Sequence, residues 1–140
     1  MVYCAIMAFN LTLLLCDNML VSSTTLAAEI FQFAQAMARA GRDSHNKLKI
    51  RWVSANGQPV QTSAGFQLNP THSIDDAFTS DLIHIPALWR NPRPAVRNNQ
   101  AYIPWLQEQH QRNSSFTAVG TGVCFLAEAG LLDDKSATTH

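Results

Sequence analysis

The sequence predicts an α/β domain organised around a mostly parallel central sheet. Two short apolar runs, Phe9–Cys16 (FNLTLLLC) and Asp81–Pro86 (DLIHIP), read as strands buried on both faces. Segments with helical spacing fall between such runs, as they do in β-α-β units. Near the end of the chain, Phe116-Thr-Ala-Val-Gly-Thr-Gly122 carries an apolar strand directly into a helix through a glycine-rich corner.

Taken in order, the first strand stops at Asp17-Asn18. Leu26, Ile30, Phe33 and Met37 then recur at steps of four, three and four, which makes one helical face, and Gly41 supplies a stop. Ser22, Ser23, Thr24 and Thr25 each offer an N-cap oxygen, and the sequence does not choose among them. Lys47–Ser54 (KLKIRWVS) alternates as a strand does. Asn56-Gly57 marks a turn, and Val60 to Leu68 can add a small ribbon around Gly65. After the Asp81–Pro86 strand, Trp89–Asn99 (WRNPRPAVRNN) reads as a solvated loop. A helix over Ala101–Arg112 follows, with Pro104 tolerated in its first turn. Strand 115–119, the Gly-Thr-Gly corner, a helix over 123–129 and a Gly130 stop complete the chain.

With 140 residues, 46% of them hydrophobic and 14% charged, the chain suits one domain with a real core. Ten basic and ten acidic side chains cancel, so the basic excess of a nucleic-acid-binding domain is missing. Cys4, Cys16 and Cys124 are odd in number and far apart, with no zinc spacing, so no metal or other cofactor is expected. Reduced thiols point to a cytoplasmic protein. The apolar N-terminus has no Lys or Arg before Arg39 and is interrupted by Asn10, Thr12, Asp17 and Asn18. It reads as a buried strand preceded by a short lead-in (residues 1–8), and neither as a signal peptide nor as a membrane span. His45, His72, His84 and His110 share no spacing and read as ordinary surface or core histidines. Arg90, Arg93 and Arg97 can grip an anion but read first as part of the solvated loop.

The strand-to-helix corner is where a nucleophile elbow would hold its reactive side chain. Strand-helix geometry puts Gly120 at that corner, and glycine accepts the unusual backbone angles without bringing a nucleophile. Cys124 falls one helical turn further on and reads as a small packed thiol. Gly120, Thr121 and Gly122 still present backbone donors at a helix start, at the carboxyl edge of the sheet where ligands of open α/β sheets bind.

The segment GTGVCFLAEAGLLDDKSATTH, ending at His140, resembles the ThiJ/PfpI-like domain of the class I glutamine amidotransferase-like superfamily. It is most similar to the version forming the N-terminal half of AraC-type, GlxA-like transcriptional regulators. FNLTLLLCDNML, LAAEIFQFA, the turn around Asn56-Gly57 and DLIHIP extend the resemblance over nearly all of residues 9–140. The resemblance implies a flavodoxin-like three-layer sandwich, commonly dimeric. It also implies a catalytic cysteine, histidine and acid, which by position fall on Gly120, His140 and Ser23. Two of those three groups are absent, so thiol chemistry is disfavoured. The expectation is a non-catalytic ligand-sensing or dimerisation domain of a regulator, a homodimer responding to a small-molecule effector. Its candidate pocket is Gly120, Thr121, Gly122, Ser23 and His140. DNA would be bound through a C-terminal helix-turn-helix domain outside this chain. The domain is also expected to be incomplete at its C-terminal end, exposing apolar surface. The alternative is a ThiJ/PfpI-type hydrolase or glyoxalase-like enzyme using Cys16 or Cys124 as a relocated nucleophile.

Overall fold

The computed structural model of the chain describes residues 8–41 and 47–138. The predicted α/β sandwich is present. The central strand β1 (Ala8–Leu14) pairs in parallel with β2 (Lys47–Ser54) on one side and with β6 (Leu82–Ile85) on the other. Beyond them lie the short edge strand β5 (His72–Ser73) and β7 (Ser115–Ala118), also parallel, giving the order β5-β2-β1-β6-β7. A separate antiparallel ribbon joins β3 (Val60–Gln61) to β4 (Gln67–Leu68) around Gly65, whose φ is +89°. The edge strand β5 has no sequence signature, because two residues carry no period.

Alternation along the strands separates two cores. Leu14, Val53, Ile83 and Ile85 point to one face. There they pack with α2 (Pro92–Asn98), α3 (Tyr102–Gln111) and α4 (Val123–Glu128) through Val96, Tyr102, Leu106 and Phe125. Leu11 and Leu13 point the other way, to α1 (Ser22–Ala40), where the second core is much smaller. No helix among the described residues is long and apolar enough to cross a membrane.

Two readings of local structure are corrected. The 89–99 segment is not all loop, since α2 forms within it. Asn91 caps that helix, its side chain accepting from the Arg93 N–H at 3.1 Å, and Pro92 and Pro94 fall in the first turn, where an N–H is not needed. None of the four hydroxyls at the start of α1 caps it. Val21 is the N-cap residue, and Ser23 and Thr25 donate backward to Leu20 and Val21 carbonyls instead. The apolar face that the spacing predicts on α1 is present, and it turns away from the sheet. The helix touches the sheet through Thr24, Ala28 and Phe31, a stripe of its own at steps of four and three. Leu26, Ile30, Phe33 and Met37 lie on the opposite side and are 59%, 59%, 68% and 60% exposed.

Candidate functional site

The carboxyl ends of β1 and β6 flank the point where chain order reverses in the sheet, the place at which open α/β folds bind ligands. The loops leaving these strands are stitched together here. Met19 bridges Leu88, the Leu20 N–H donates to Ala87 O at 2.9 Å, and the Trp89 N–H donates to Asn18 O at 3.0 Å.

The corner after β7 is an elbow in backbone terms. Val119 is still extended, Gly120 has φ +48°, and Gly120–Gly122 form a single 3-10 turn that leads into α4. Gly122 is fixed by contact, since a Cβ built there would meet the Pro86 carbonyl oxygen at 2.2 Å. Thr121 Oγ1 accepts from the Leu88 N–H and donates to Leu88 O, both at 2.9 Å. Ser23 Oγ accepts from the Ala87 N–H at 3.0 Å while donating to Leu20 O at 2.6 Å. Pro86-Ala87-Leu88 thus gathers Ser23, Thr121 and Gly122 into one assembly, and both hydroxyls are fully engaged with backbone. His140 lies outside the described residues.

His84 completes the assembly from below. It is buried, its Nε2 meets the Ser23 carbonyl at 2.8 Å and its Nδ1 meets Thr117 Oγ1 at 2.9 Å. A carbonyl can only accept, so Nε2 carries a proton and donates to Ser23 O, while Nδ1 and the Thr117 hydroxyl form the second hydrogen bond. Sequence reasoning left His84 among the ordinary histidines. Its pairing with a carbonyl 61 residues away had no signal in the chain.

The corner residue itself is Gly120, and neither described cysteine stands at that position. Cys16 is 1% exposed at the end of β1, and burial, reinforced by the Asp17 charge, pushes its thiol up to about 12. Cys124 is half-buried on α4 and faces a cleft shared with α2. That cleft and two further cavities lie away from the corner, and none is lined by Gly120, Thr121, Gly122 or Ser23.

The fold and this corner define an open α/β domain whose β7-to-α4 turn places glycine, Gly120, at the strand-to-helix corner. The chain belongs to the DJ-1/PfpI family, whose model matches residues 18–140. It is 35% identical over 92 residues to the HTH-type transcriptional regulator CdhR of Pseudomonas aeruginosa, a match covering 64% of this chain and 26% of that protein. It is also 35% identical over 82 residues to an isonitrile hydratase of Pseudomonas putida, covering 59% of this chain and 35% of the enzyme. Among solved structures, an AraC family transcriptional regulator from Pseudomonas putida shares the fold with a TM-score of 0.74. Identity there is 21%, over 94% of this chain and 66% of that one. The matches thus span about a quarter to a third of the length of these two curated relatives.

Proposed function

We propose that the chain is a non-catalytic regulatory domain that pairs two copies of itself through the outer face of α1, as part of a cytoplasmic transcriptional regulator. The observation that carries this reading is the exposed stripe Leu26, Ile30, Phe33, Met37. Its steps of four, three and four are the 3.5-residue period of a helix seam that packs against another helix. Only Glu29 and Arg39 are charged in the whole of α1, so little opposes a second copy. Contiguous apolar surface of this kind marks association sites, and each such side chain stabilises by about 1.5–3 kcal/mol when fully buried. The similarity to an HTH-type regulator supports the reading, because helix-turn-helix proteins commonly read paired half-sites as dimers. DNA contact would come from a domain other than this one, which has no net charge. The corner at Gly120, Thr121 and Gly122 beside Ser23 offers an effector only backbone groups.

The similarity to an isonitrile hydratase is the one observation favouring an enzyme. Among the described residues, the thiols open to that role are Cys16, whose burial suppresses the thiolate, and Cys124, which opens onto a different cleft.

A functional test is to fuse the 140-residue chain to a DNA-binding domain that represses only when paired. The fusion should repress its reporter, and Ile30→Glu with Phe33→Glu should abolish repression at equal protein level. Repression that survives both substitutions would remove α1 from the account.

A further inference from the structure

We infer that the cleft between α2 and α4 is a binding site for a small organic carboxylate with an apolar body. Of the three arginines in the 89–99 segment, Arg90 lies over the Trp89 ring, whereas Arg93 and Arg97 line this cleft. They are one helical turn apart on α2, so their side chains share a face. Both are exposed, and neither guanidinium has an ion-pair partner among the described residues, where the single such pair is Arg112–Glu108.

The cleft encloses about 550 Å³, within the range that holds a small ligand. Val96, Cys124 and Ala127 give it apolar lining, which a bare inorganic anion would leave unused. Glu128 from α4 lines the same space without pairing to either arginine. Two cations and one anion leave a net single positive charge, which suits one carboxylate better than a dianionic phosphate. Planar guanidinium forks match a carboxylate edge, and the rest of the ligand would lie along α4.

The site goes beyond the pairing of copies and does not depend on it. Its position gives it access to the rest of the domain. α4 issues directly from the Gly120–Gly122 corner, and α2 follows the 86–88 segment that the corner holds. A ligand joining α2 to α4 therefore touches the helix that follows β6 and the helix that follows β7.

Cys124 reports on the cleft, because Cys16 is buried and Cys4 can be replaced by serine. In the Cys4→Ser chain, the ratio of iodoacetate to iodoacetamide labelling rates at Cys124 should exceed that of a free model thiol by about threefold or more, since local positive charge concentrates the anionic reagent. Arg93→Gln with Arg97→Gln should return the ratio to the model value without changing the circular dichroism spectrum. Benzoate should slow iodoacetamide labelling of Cys124, whereas benzamide and inorganic phosphate at matched ionic strength should not. A ratio equal to the model thiol's overturns the site. So does equal protection by benzamide or by phosphate. Sedimentation of the same samples reads pairing separately, so failure of one reading is distinct from failure of the other.

Discussion

On one side of the sheet, Leu14, Ile83 and Ile85 meet three helices, and Leu106, Tyr102 and Phe125 are almost wholly inaccessible. On the other side a single helix lies over Leu11 and Leu13, touching them mainly through Ala28. The helix on the sparse side is also the one with its largest apolar residues turned outward. The sparse side has apolar residues on opposite faces of α1, one set turned to the sheet and the other to solvent. The difference separates apolar residues packed within the domain from apolar residues left exposed on its surface.

The largest effects are expected from substitutions on the dense side. Leu106→Ala, at a fully buried position of α3, should destabilise the fold by about 4 kcal/mol in urea denaturation. Gly122→Ala should cost about 3 kcal/mol, near the upper end for overpacking, because the new methyl group meets the backbone carbonyl of Pro86. Thermal melts of the purified variant would check it.

The buried thiol on the dense side sets a smaller effect with a defined pH window. Cys16 keeps its proton up to about 12 in the folded chain, whereas an unfolded thiol loses it near its ordinary value of 9.0. The unfolded state therefore binds fewer protons across that interval, and stability falls as pH rises through it, by at most about 1.4 kcal/mol per pH unit from this group. Cys16→Ala should flatten that part of the alkaline slope. The smallest effect belongs to α1. Phe33→Ala should change the stability of a dilute, unpaired chain by no more than about 0.5 kcal/mol, yet lower the melting temperature of concentrated protein.

Much of the fold was legible in the chain. Strands such as Leu82–Ile85 and Lys47–Ser54 declare themselves through apolar runs or alternation, and Gly41 and Gly130 stop their helices where expected. The helix in Trp89–Asn99 was obscured by its prolines, which break a helix interior but suit a first turn. The stripe on α1 was legible as a face but not as a direction. Period identifies which residues share a side, and only the tertiary contact made by Thr24 and Ala28 decides which side meets the sheet. At the elbow, Gly120 was placed by local geometry alone. The roles of Thr121, Ser23 and His84 were hidden because each partner is distant in sequence, at Leu88, Ala87 and Ser23 respectively.

The most direct measurement of the central claim is sedimentation velocity of the intact 140-residue chain beside its Ile30→Glu, Phe33→Glu double variant. The account predicts a two-copy species for the unmodified chain and a single-copy species for the variant, with unchanged circular dichroism. A single-copy mass for the unmodified chain, or a two-copy mass that survives both substitutions, would contradict it.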